Sequence, residues 1–171
     1  MEERIKAIEL ALKNEKNERD FYLRQSERTQ NPVGKKMFAC IAEDENEHYE
    51  RLKALHAELS AQGSWPDQIA GVIKDTNIQQ VLDSISTIAA DSDTSDADDI
   101  EAVKIAIDFE TNGYNFYSKL KDDAVSAEEK SFFARLASIE KEHLNSLKDT
   151  LLFFEDPETW YLQHEKPHLE G

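Results

Sequence analysis

Apolar residues recur at three- and four-residue spacing along four long stretches of the chain, the period of an amphipathic helix. In the first stretch Ile5, Ile8, Leu12, Glu15 and Tyr22 share a stripe; in the second, Phe38, Ile41, Glu45, His48, Leu52, Leu55 and Leu59 do. The third runs Val103, Ile107, Glu110, Tyr114, Tyr117 and the fourth Phe133, Leu136, Glu140, His143, Leu147, Leu151. Each stripe is apolar except for one or two acidic or histidine positions in its middle. Those positions therefore lie on the face that a helical bundle buries, whereas Glu47 and Glu142 lie off the stripe and read as solvated.

The second half repeats the first. Glu15, Glu45 and His48 each have a counterpart 95 residues further on, in Glu110, Glu140 and His143. Lys35, Phe38, Ala39, Ala42, Leu52 and Lys53 find the same residue type at that offset, and Phe21-Tyr22 matches Phe116-Tyr117. Asn31-Pro32 reads as an N-cap followed by proline at the first helical position. Ser126 with Glu129 reads as a capping box for the fourth helix. The pattern predicts two copies of a helical hairpin, residues 3–62 and 98–155, related by an approximate twofold axis and making one domain over residues 1–171. A crossover, residues 63–97, joins them. It contains Ile69, Val72, Ile73, Ile78, Val81, Leu82, Ile85 and Ile88, which suggest one or two short helices, and ends in the acidic run Asp91–Asp96. The tail, residues 156–171, carries Trp160 and Tyr161 and is expected to dock on the bundle.

Composition narrows the partners. Charged residues make up 33% of the chain, and Asp and Glu outnumber Lys and Arg by 36 to 20, a net charge of −16. Such a surface repels nucleic acid and anionic membranes. The start, Met1-Glu2-Glu3-Arg4-Ile5-Lys6, has no apolar signal core, and no apolar run reaches membrane-spanning length, so a cytoplasmic location is expected. The single cysteine, Cys40, excludes an intrachain disulfide and reads as a small buried hydrophobe. His56, His164 and His168 lack partners at metal spacing and read as surface residues.

Glu15, Glu45, His48, Glu110, Glu140 and His143 carry the chemistry. A glutamate and a histidine three residues apart on a helix share a face and can reach one metal centre. Four carboxylates and two imidazoles without thiolate suit Fe(II), Mn(II) or Zn(II), with iron or manganese the better match. Four ionised glutamates also balance the charge of two divalent ions. One glutamate from each of two helices, with Glu-x-x-His from each of the other two, is the ligand pattern of ferritin-like dinuclear bundles. Tyr22 and Tyr117, two turns beyond Glu15 and Glu110, read as core aromatics with a hydrogen-bonded hydroxyl or as groups supporting the ligands.

These residues, with Asp156-Pro157 and Trp160-Tyr161, give the chain a resemblance to the rubrerythrin-like branch of the ferritin-like superfamily over roughly residues 3–163. The resemblance implies an all-α ferritin-like four-helix bundle, a site for two iron ions, and reduction of hydrogen peroxide or dioxygen. Two departures stand out. Full-length rubrerythrins carry a four-cysteine rubredoxin-type domain, so a chain with one cysteine is expected to take electrons from a separate rubredoxin-type donor. They also carry a further glutamate three residues after the third-helix ligand, where this chain has Gly113, while Glu18 stands at the repeat-related position on the first helix. Glu18 is thus a candidate extra ligand. Three functions follow: a dinuclear iron peroxidase or oxidoreductase, a ferroxidase that handles iron, or a non-redox metalloprotein. A homodimer is compatible with any of them.

Overall fold

The structure is a computed structural model and describes residues 2–67, 72–88 and 96–164. Helices make up all its regular structure among these residues: α1 (Glu2–Arg28), α2 (Pro32–Gln62), α3 (Ile78–Asp83), α4 (Ile85–Ile88), α5 (Ala97–Asp122), α6 (Ala127–Glu155) and α7 (Pro157–His164). None is long and apolar enough to cross a membrane. The long helices α1, α2, α5 and α6 form the ferritin-like four-helix bundle, with α1 against α2 and α5 against α6 as hairpins.

Local chemistry sets the helix ends. Asn31 accepts hydrogen bonds from the Val33 and Gly34 N–H groups, and Pro32 fills the first position of α2, where an N–H would have no partner. Gly63 ends α2 in the left-handed conformation, φ 66°, the one place where the described backbone needs a residue without Cβ to turn. Ser126 caps α6 as expected, but the reciprocal half of its capping box is absent. Glu129 instead accepts from the Val125 N–H and from Arg4 Nε, at 3.1 and 2.7 Å, and so ties α6 to α1. The complete capping box lies at the start of α5, between Asp96 and Asp99, and Asp96 is the last residue of a run that the sequence pattern marks only as acidic. Asp99 also accepts from Arg28 at 2.8 Å, joining the end of α1 to the start of α5.

The four stripes face inward, with small differences. All the second-stripe residues are buried, whereas Ile5, Leu12, Ile107, Tyr114 and Leu151 sit half-buried at the seams. The apolar core has two parts. One gathers Tyr22, Phe38, Ile41, Val103, Leu147 and Phe154; the other gathers Ile8, Leu52, Leu55, Tyr117, Phe133 and Leu136. Along every long helix the candidate ligands occupy the turn or two between these clusters. The polar site is therefore enclosed between two apolar layers, which hold the bundle together and keep water away from it.

The crossover is partly helical, as predicted, with α3 packed on α2 and α6. Ile69 lies outside the described residues, as do residues 91–95 of the acidic run. Trp65 sets the start of the crossover against Phe132 and Phe133. The tail docks through α7: Trp160 is 3% exposed, packs edge-on to Phe153 and donates from Nε1 to Asp149 Oδ2 at 2.9 Å. His164 is exposed, as expected, but stacks on Trp160 with ring centroids 4.1 Å apart and lies 3.2 Å from Asp149. His56, half-exposed, faces Glu9, and His168 lies outside the described residues. Cys40 is half-buried rather than buried, and burial pushes its thiol up to about 11, so it remains a thiol.

Candidate metal centre

The six inward residues converge on one place. Glu15 comes from α1, Glu45 and His48 from α2, Glu110 from α5, and Glu140 and His143 from α6; all are 2% exposed or less. Their ligand atoms form two overlapping groups, Glu15–Glu45–His48–Glu140 and Glu45–Glu110–Glu140–His143, each within 4.8 Å. Glu45 and Glu140 belong to both. His48 Nδ1 lies 3.4, 3.4 and 3.3 Å from oxygens of Glu15, Glu45 and Glu140. His143 Nδ1 lies 3.3 and 3.4 Å from oxygens of Glu45 and Glu110. Donors bound at about 2.1 Å to one ion stand roughly 3–3.4 Å from each other, so these separations fit a shared cation.

The hydrogen-bond inventory makes the same point. Buried polar atoms are nearly always paired. Here Glu15 Oε2, both oxygens of Glu45, Glu110 Oε2, both oxygens of Glu140 and Nδ1 of each histidine are buried without a hydrogen-bond partner. These are the atoms that face the centre. The opposite oxygens of Glu15 and Glu110 are held by the tyrosines across the hairpins. Tyr22 donates to Glu110 Oε1 at 2.5 Å, and Tyr117 donates to Glu15 Oε1. Each tyrosine thus serves the glutamate of the other hairpin, a pairing that one helix viewed alone conceals. The residues present fit a pair of divalent ions.

Without cations, burial and mutual repulsion favour the protonated form of most of these groups. Burial, reinforced by the Glu45 charge, pushes the Glu15 carboxyl up to about 8. Burial and the charges of Glu45 and Glu110 raise Glu140 well above the carboxylate range. Glu45 goes the other way: burial opposes its ionisation, but the close approach of Glu15, His143 and His48 holds it below its ordinary value. Burial disfavours charge on the histidines as well, and the carboxylates overcome it. Glu140 and Glu15 raise His48, while Glu110 and Asp44 raise His143. Burial and the glutamates beside them lift both tyrosine hydroxyls, so they stay protonated donors.

Glu18 is not a member of either group. It is half-buried on α1 beside them, and burial with the charges of Glu45, Glu15, Glu140 and Glu110 pushes its carboxyl up to about 12. Water reaching the partly exposed side chain moderates that rise without changing its direction. At the repeat-related position, Gly113 leaves room that Glu140 uses: a Cβ there would stand 2.7 Å from Glu140 Oε2. The missing side chain on α5 is thus matched to the position of a candidate ligand on α6.

The sequence pattern did not mark Asp44 and Thr76. Asp44 Oδ2 lies 2.8 Å from His143 Nε2 and accepts from Thr76 Oγ1 at 2.5 Å. Asp44 precedes the candidate ligand Glu45 but falls off the inward stripe, and its repeat counterpart is Ile139.

No curated protein and no solved structure gives a significant match to the chain. The sequence model of the rubrerythrin family matches residues 6–151, a span containing all six converging residues and, apart from Ile5, all four long stripes. The chain belongs to the rubrerythrin family.

Proposed function

We propose that the protein is a dinuclear iron oxidoreductase that reduces hydrogen peroxide, or dioxygen, with electrons from a donor outside this chain. The observation that carries this reading is the set of buried, unpartnered oxygen and nitrogen atoms on six converging side chains. Glu15 and His48 would hold one ion, Glu110 and His143 the other, with Glu45 and Glu140 shared. Reducing hydrogen peroxide to two waters takes two electrons and two protons; a pair of reduced irons held by these residues would supply the electrons, and the external donor would restore them. The one cysteine of the chain cannot build a four-cysteine iron site to do so. Carboxylate-rich ligands suit this chemistry because a glutamate can change how many oxygens it offers as the charge at the site changes.

The protein's own groups have separate tasks. Tyr22 and Tyr117 orient the two unshared glutamates and keep their hydroxyl protons. The two apolar layers exclude bulk water. Glu18, kept protonated by burial and the carboxylates around it, would ionise once cations neutralise them and would then offer an extra carboxylate to the site. Gly113 offers no equivalent on the other side, so the two positions are chemically unequal.

Mixing the anaerobically reduced, iron-loaded protein with hydrogen peroxide tests this reading. Rapid oxidation is expected, and slowed by on the order of tenfold or more in Glu18→Gln with iron content unchanged. An unchanged rate would leave Glu18 as a bystander. Iron that stays reduced in excess peroxide in the wild type would contradict the proposed activity.

A further inference from the structure

The two halves of the centre differ in what stands behind their histidines. His143 points Nδ1 at Glu45 and Glu110, and its Nε2 lies against Asp44 Oδ2. Thr76 Oγ1 donates to that same oxygen and accepts from the backbone N–H of Ile78 at 3.1 Å. Ile78 opens α3, which packs on α2 and α6. A line of hydrogen bonds therefore runs from the first turn of the crossover helix, through Thr76 and Asp44, to the imidazole.

His48 has no such support. The repeat counterpart of Asp44 is Ile139, which is 1% exposed and belongs to the apolar core. Among the described residues none is hydrogen-bonded to His48 Nε2. The crossover occurs once in the chain and has no repeat-related copy, so this difference follows from the topology.

The physical consequence concerns the tautomer. A neutral imidazole offers a lone pair at one nitrogen only when the other carries the hydrogen. With Nε2–H donating to Asp44, the lone pair of His143 is placed on Nδ1, facing the centre, and the ring cannot turn without breaking that bond. Losing such a partner generally costs about 10–100-fold in metal affinity. We infer that Asp44 and Thr76 are positioning residues: they make the Glu110/His143 position the tighter of the two metal positions and couple its occupancy to docking of the crossover. The inference rests on the dinuclear reading above. It adds an order of filling, in which the first ion enters beside His143 and tightens residues 76–83, and the second enters beside His48.

Titrating the full, metal-free chain with Co(II) under anaerobic conditions tests this, read by the visible absorption of the ion and by amide hydrogen exchange. The wild type should bind in two steps at least about tenfold apart. Exchange across residues 76–83, the Ile78 N–H above all, should slow during the first step. Asp44→Ala should weaken the first step by about 10–100-fold, leave the second unchanged and abolish the exchange response. Asp44→Asn keeps an oxygen that accepts from Nε2–H and should recover part of the affinity. Thr76→Val should weaken the first step less than Asp44→Ala and also uncouple the exchange response. Two equal steps in the wild type would overturn the inference, as would an Asp44→Ala chain with the wild-type first step and exchange response. A wild type that binds no Co(II) would remove the dinuclear centre itself, and the inference with it.

Discussion

A Glu45→Ala, Glu140→Ala double variant is expected to lose the whole centre, from about two metal ions per chain to none. Both residues belong to both ligand groups, so removing them takes two donors from each position. What remains is one glutamate and one histidine per ion, too few to compete with water. Either single change should abolish at least one position. Glu15→Ala touches one group only and should leave the other able to fill. Metal content after anaerobic Fe(II) loading and desalting distinguishes these cases. A double variant that retains two ions would show that the shared carboxylates hold no metal, and the site would have to lie elsewhere.

Removing metal should destabilise the fold, and more so as pH rises. Ions that bind only the native state at about 100 times their dissociation constant add roughly 2.7 kcal/mol each. In a chain of this size that raises the melting midpoint by about 5–10 °C per ion. The pH dependence follows from the direction of the shifts in the metal-free protein. The folded-state value of Glu15 lies near 8, above the 4.5 of the unfolded chain. Its protonated form therefore contributes stability that is fully present below pH 4.5 and is lost as pH rises through about 8. Glu140 is raised too, and its contribution is lost in the same direction. His48 and His143, raised above 6.5, contribute below that value and lose the contribution as pH rises through their folded values. Glu45, lowered, is already ionised above pH 4.5 in both states and adds no slope there. Metal competes with the protons on the raised groups, so its benefit grows over the same window. Melting curves with and without a chelator, between pH 5.5 and 8.5, should diverge towards the alkaline end. Coincident curves throughout would mean that the six ligands are not used.

The bundle and the convergence of six side chains were legible because a metal ligand and a core residue meet the same geometric demand. A ligand must sit on the inward face, and Glu15, Glu45, His48, Glu110, Glu140 and His143 interrupt apolar stripes at helical spacing, with the 95-residue offset identifying them as pairs. The partners of these candidate ligands obey no such rule. Tyr22 reaches Glu110 and Tyr117 reaches Glu15 only after the hairpins pack, and residue spacing on one helix carries no trace of it. Asp44 was hidden by the repeat that exposed the ligands, since Ile139 stands at its counterpart. Thr76 lies in the crossover, where hydrophobic pattern locates helices but not hydroxyls. The capping box of Asp96 and Asp99 was masked by the acidic residues around it, and Glu129 was drawn from its own box to Arg4 by contact between helices.

Counting the metal tests the account most directly. The chain is purified without added metal, reduced, loaded anaerobically with Fe(II), freed of unbound ion and analysed for iron against protein concentration. About two irons per chain are expected, falling to none in the double variant of Glu45 and Glu140. One iron or none per wild-type chain, or two that survive removal of both shared glutamates, would contradict a dinuclear centre built from these six residues.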